Sequence, residues 1–172
     1  MIDILRNRRS VRQFTDQAIE FNKLEILKEA ILLAPTSRNI EPCEFIVVQD
    51  KAMLKKLSTL KPHGASFLAD CDTAFVICGD TSKSDVCVED CSIAAIILQL
   101  TAESLGLGSC WVQARLRDHS DSVKSEKYIK ELFDLPEHML APCVIGLGYP
   151  AAKKEPKTKE DLKFQKIHKE TF

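Results

Sequence analysis

The sequence predicts an α+β fold. Segments with helical spacing and short apolar runs follow one another, but without the regular βαβ spacing of a doubly wound sheet. The chain has 172 residues, 45% of them hydrophobic and 28% charged, which suits one globular domain over residues 1–172 with a sizeable core.

The elements follow in order. Residues 1–8 form a short helix ending at a basic cluster. Residues 21–34 place Leu24, Leu27, Ile31 and Ala34 at steps of three and four, which makes an amphipathic helix. Asn22 is its expected N-cap, with Glu25 in a capping-box arrangement, and Pro35 is its stop. Residues 44–48 and 73–78 are apolar and short enough to be buried strands, with a surface helix over 51–60 between them. Residues 85–105 give the strongest helix, apolar on most faces, with Gly106 and Gly108 ending it. A helix apolar nearly all round is a buried one, and in a chain this small that predicts cover from a second subunit. A strand over 109–114, an amphipathic helix over 124–133 and an apolar strand over 143–148 complete the domain. The lysine-rich tail, residues 151–172, has few core positions and is expected to be disordered or to wrap a partner.

Composition excludes several function classes. A formal net charge of −1 does not suggest a nucleic-acid binder, although the start and the tail are basic and the middle holds acidic stretches. The apolar run from Ile93 to Leu107 is broken by Gln99, Thr101, Glu103 and Ser104 and falls short of the roughly 20 residues that span a bilayer. Charges at Asp3, Arg6, Arg8 and Arg9 rule out a secretory signal at the start of the sequence. Seven cysteines, an odd number, point to reduced thiols in the cytoplasm rather than a disulfide framework. No G-x-G-x-x-G follows a strand, and no histidine stands at metal-ligand spacing from a cysteine. No metal site is expected.

Four segments carry chemistry. Arg8, Arg9, Ser10 and Arg12 put guanidinium groups beside a hydroxyl, a set that matches one phosphate, although charge clusters are most often solvated surface. Pro35, Thr36, Ser37 and Asn39 gather small polar groups in a loop leaving a helix. Such groups bond their own turn or donate to a heterocycle or polyol. Gly106-Leu107-Gly108 leads into Ser109, Cys110, Trp111, Val112 and Gln113, where glycines permit close backbone approach and a strand presents fixed N–H groups. In the tail, Lys153, Lys154, Lys157, Lys159, Lys163, Lys166 and Lys169 are mostly solvent-facing, with one or two in reach of a phosphate.

Taken in order, these segments resemble the nitroreductase family in its short-chain form. Arg8-Arg9-Ser10-Val11-Arg12-Gln13-Phe14 is similar to its R-R-S-x-R-x-F opening. Pro35 to Pro42 is similar to its P-S-x-x-N-x-Q-P loop, and Gly106 to Trp111 to its G-L-G-S/T-C-W segment. Gly146 to Pro150, with Lys157 and Lys159, is similar to its G-x-G-Y-P…K-P-R ending. Glu41-Pro42-Cys43 departs from the usual Gln-Pro-Trp, and Lys159 replaces the last arginine.

The resemblance implies a mostly antiparallel sheet flanked by helices, in a homodimer whose tails extend onto the partner. It implies FMN, with Arg8, Arg9, Ser10, Arg12, Lys157 and Lys159 at the phosphate and ribityl chain. Pro35, Thr36, Ser37 and Asn39 come from the other subunit, and the backbone of Cys110, Trp111, Val112 and Gln113 lies by the ring. It implies ping-pong reduction of a nitroaromatic, quinone or similar small acceptor by NAD(P)H. No catalytic side chain is needed, because the flavin carries the chemistry. A non-catalytic flavin-binding or regulatory protein, or a flavin-dependent dehalogenase or lyase, would use the same scaffold.

Overall fold

A four-stranded antiparallel sheet in the order β1-β2-β4-β3 organises the computed structural model, which describes residues 1–172. The strands are β1 (Cys43–Val48), β2 (Thr73–Asp80), β3 (Gly108–Gln113) and β4 (Met139–Gly148). The helices are α1 (Ile2–Asn7), α2 (Phe21–Leu32), α3 (Lys51–Leu57), α4 (Cys87–Ser104) and α5 (Ser125–Leu132). The α+β architecture is as the element order predicts, and the antiparallel sheet is as the resemblance implies.

Both faces of the sheet are covered, which is why its central strands read as continuous apolar runs rather than as alternating ones. Side chains alternate between two cores. Ala74, Val76 and Cys78 of β2, with Cys110, Val112 and Val144, face α3, α5 and the turn around Phe67. Phe75 and Ile77, with Cys143, Ile145 and Leu147, face α2 and α4. Leu27, Phe75, Leu98 and Ile145 are fully buried in this second core. Burying each such side chain is worth about 1.5–3 kcal/mol.

Some boundaries differ from expectation. β4 begins at Met139, four residues before the expected strand, because Pro142 sits inside it and hides the pattern. β2 runs on to Asp80 through a register irregularity between Ile77 and Gly79. Asn22 does not cap α2. The helix starts at Phe21, Glu20 holds the cap position, and no side chain caps it. The Glu20 carboxylate instead accepts from the Tyr149 hydroxyl, which in turn accepts from Lys23.

α4 buries one face, including Asp90, Cys91, Ala94, Ala95, Leu98 and Gln99, against the sheet and α2. Ile93 and Ile96 remain exposed on its other face. α1 lies against α4 and leaves Ile2 and Leu5 exposed. The tail, residues 151–172, is exposed throughout, including Leu162, Phe164, Ile167 and Phe172, and is tied to α1 where the Lys157 amide donates to the Arg6 carbonyl.

Candidate active site

Sheet order makes β3 an edge strand. Its start is occupied by the segment after α1. Ser10 bridges Ser109 in parallel, and the Val11 amide donates to the Ser109 carbonyl at 3.0 Å. The approach is close enough to need glycine. A Cβ at Gly108 would lie 2.9 Å from three Val11 carbons, and one at Gly148 would lie 3.0 Å from the Phe14 ring. Phe14 bridges Pro150, and the Thr15 amide donates to the Tyr149 carbonyl. The Gly148-Tyr149-Pro150 motif therefore acts as a strut that presses the basic segment onto the sheet edge. Beyond Ser109, the outer edge of Cys110–Gln113 has no strand partner, so its backbone groups are open to a ligand.

This edge is strongly cationic. Burial pushes the Cys110 thiol up, while Arg12, a hydrogen bond with Ser10, Lys154 and Lys61 all pull the other way. Burial also holds the Lys61 ammonium below its ordinary range, and Arg117 and Arg12 push it in the same direction. Arg12, Lys61 and Lys154 thus all act on Cys110, and Arg12 and Arg117 both act on Lys61, which gathers these cations at the strand edge. Such an arrangement costs repulsion unless an anion fills it, and it suits a phosphate. Lys154 also donates to the Ser10 carbonyl at 2.9 Å.

The arginine cluster divides its work. Arg12 belongs to this cradle. Arg8, with Lys153, faces Glu103 in the last turn of α4, where burial raises the Glu103 carboxyl and the two cations lower it. Arg9 donates to the Glu155 carbonyl at 2.7 Å and so binds the tail. Lys157 and Lys159 are exposed, and their side chains make no hydrogen bond or ion pair within the chain. Lys61 and Arg117 were not foreseen, since neither lies in a motif and only the fold brings them to Arg12. Lys154 was one tail lysine among seven.

Trp111 is half-buried and donates from Nε1 to Gln113 Oε1 at 2.9 Å, and Gln113 in turn donates to the Arg115 carbonyl. These side chains brace each other along the free edge. Val112 and Cys110 point into the core, so only their backbone faces the open side.

The second polar loop lies elsewhere. Arg38, Asn39 and Glu41 all have φ near +54, a left-handed backbone that side chains rarely adopt and that persists only when the surroundings hold it. Asp90 in the first turn of α4 accepts from the Ser37 amide at 2.8 Å. Thr36 accepts from the Glu41 amide at 3.0 Å, and Arg38 pairs with Asp85. Pro35 is exposed at the loop's start. Asp90, which anchors this loop, and Glu103, beside Arg8, stand thirteen residues apart on α4, or about 20 Å. Within one chain, the loop is anchored at the first turn of this helix, whereas Arg8 and Lys153 stand at its last turn.

Residues 5–63 and 59–149 match the model of the nitroreductase family. The chain belongs to the nitroreductase family. An FMN-dependent nitroreductase from Clostridium difficile R20291 superposes with a TM-score of 0.98 at 42% identity over the whole of both chains. A protein of Archaeoglobus fulgidus with a provisional NAD(P)H nitroreductase name is 34% identical, covering 99% of this chain and 98% of its own length. An FMN reductase [NAD(P)H] of Bacillus subtilis is 26% identical, covering all of this chain and 74% of its own length. No helix of this nitroreductase-family chain is long and apolar enough to cross a membrane.

Proposed function

We infer that this nitroreductase-family chain is an FMN-dependent oxidoreductase that works as a homodimer. In this reading it takes reducing equivalents from NAD(P)H and passes them to a nitroaromatic, quinone or similar small acceptor. The observation that carries the reading is the cationic cradle of Arg12, Lys61 and Lys154 beside an open strand edge. A phosphate in the cradle would leave the attached ring along Cys110–Gln113. The names of the related proteins agree with this choice of cofactor and donor.

The residues fit FMN in kind. Ser10 and Arg12, with Arg8, Arg9, Lys157 and Lys159 nearby, supply hydroxyl and cation donors for the phosphate and ribityl chain. Backbone N–H groups of Cys110, Trp111, Val112 and Gln113 supply fixed donors to the ring edge. Bound there, FMN supplies the hydride chemistry that side chains lack. The protein anchors, orients and sets the field, and no side chain needs to act as acid, base or nucleophile. Donor and acceptor use the same pocket in turn, which is a ping-pong order.

The placement of the polar loop supports the dimer. Pro35, Thr36, Ser37 and Asn39 are anchored at the first turn of α4, whereas Arg8 of the basic segment stands at its last turn. A two-fold axis that packs α4 antiparallel to its copy brings each loop beside the other subunit's cradle. The exposed apolar residues of α4, α1 and the tail offer the surface for this contact, with residues 151–172 extending onto the partner. Seven free thiols fit a cytoplasmic location.

A visible spectrum tests the proposal. The purified protein, or the protein reconstituted with FMN, is expected to show an oxidised-flavin spectrum that NADH or NADPH bleaches without oxygen and that an added quinone restores. A protein that takes up no FMN would sink the reading.

A further inference from the structure

Five of the seven thiols gather beside the strained loop: Cys43, Cys78, Cys87, Cys91 and Cys143. Their centre is Gly79, the register partner of Cys43 across β1 and β2. A Cβ at position 79 would lie 2.3 Å from the Cys87 sulfur and 2.8 Å from that of Cys91, so the missing side chain provides the space these sulfurs fill. Cys91 Sγ lies 3.7 Å from Cys43 Sγ and 3.3 Å from the Cys78 carbonyl.

The two facing thiols differ in access. Cys91 is fully buried. Cys43 is half-buried and lines a surface cleft of about 230 Å³ together with Ile31, Thr36, Phe45 and Ala94. The cleft lies at the position where the family pattern places a tryptophan and this chain has cysteine. Of the two thiols, Cys43 is the one that borders the cleft, and Cys91 stands behind it in the core. The two sulfurs stand 3.7 Å apart, against the roughly 2.05 Å of an S–S bond.

We propose that Cys43 and Cys91 form a peroxide-responsive thiol pair, in which Cys43 takes the oxygen and Cys91 closes a disulfide. The Cys43 thiolate attacks one oxygen of hydrogen peroxide, the O–O bond breaks, and hydroxide leaves as water after taking a proton. The sulfur of Cys91 then attacks the Cys43 sulfenic acid. An S–S bond forms, the S–O bond breaks, and the oxygen leaves as a second water with the Cys91 proton. The two thiols lose two electrons and the peroxide gains them. The environment selects Cys43 as the first target. Contact with the Cys91 thiol holds Cys43 below the ordinary thiol range against burial and the Asp90 and Glu44 carboxylates, whereas burial raises Cys71 to about 11, Cys78 to about 12 and Cys87 to about 11.

The test uses the reduced, full-length protein treated with a few equivalents of hydrogen peroxide, then denatured in an alkylating agent. Titratable thiols are expected to fall from seven to five and to return to seven with dithiothreitol. Non-reducing peptide mass spectrometry should find Cys43 joined to Cys91. In Cys91→Ser, dimedone should trap a sulfenic acid at Cys43. In Cys43→Ser, all six remaining thiols should survive the same dose. Seven thiols persisting in the wild-type protein, a link between Cys87 and Cys91, or equal oxidation of Cys43→Ser would each overturn the proposal. None of these readouts depends on flavin, so the pair and the proposed function fail separately.

Discussion

Arg12 and Gly108 show how single residues build the cradle by different means. Arg12 supplies charge. A charged hydrogen bond to phosphate is worth about 1.5–3 kcal/mol, so Arg12→Ala is expected to raise the FMN dissociation constant about tenfold or more. Flavin fluorescence titration reads this directly, and an unchanged constant would remove Arg12 from the phosphate site. Gly108 supplies space. Its missing Cβ lets Val11 sit where three carbons would otherwise be 2.9 Å away. Gly108→Ala is expected to cost about 1–3 kcal/mol from overpacking, lowering the apo Tm by roughly 2–4 °C per kcal/mol. Pairing it with Val11→Ala should return part of the loss, because the clash is with that side chain. A double variant no better than the single would mean that the strain lies elsewhere.

The element that most needs outside support is the loop between α2 and β1. Three of its residues adopt the left-handed backbone, and its hold on the protein runs through Asp90, only 2% exposed, which accepts from the Ser37 amide and the Ser84 hydroxyl. Asp90→Ala leaves the half-buried Ser37 N–H and the buried Ser84 hydroxyl without their acceptor, at a cost of about 1–3 kcal/mol. The expected result is a lower Tm and faster tryptic cleavage after Arg38, which is exposed in this loop. A cleavage rate equal to wild type would show that the loop holds its shape without Asp90. The loop's polar composition was legible from Pro35, Thr36, Ser37 and Asn39. Its anchor was not, because Asp90 lies fifty-three positions from Ser37 and reads in sequence as one more acidic residue in a first helical turn. The helices and strands themselves were visible through their apolar spacing, except where Pro142 interrupts β4 and where Glu20, rather than Asn22, begins α2.

At the scale of the whole molecule, the account rests on one geometric fact. The polar loop is anchored at the first turn of α4 and the basic segment reaches its last turn through Arg8, with exposed apolar residues along the helix between them. The sequence motifs name both parts but cannot say how far apart they stand. Under the proposed function, a single subunit holds two half-sites instead of one site. Mixing two inactive variants measures this most directly. Arg12→Ala damages the cradle and Asn39→Ala damages the loop, and neither homodimer is expected to retain FMN through desalting. After the two are unfolded and refolded together, mixed dimers should contain one site built from two intact halves and should hold flavin. Recovery of flavin-bound protein in the mixture, and in neither variant alone, is the result predicted by a site shared between subunits. A mixture that retains no more flavin than its parents, although mixed dimers are shown to form, would contradict it.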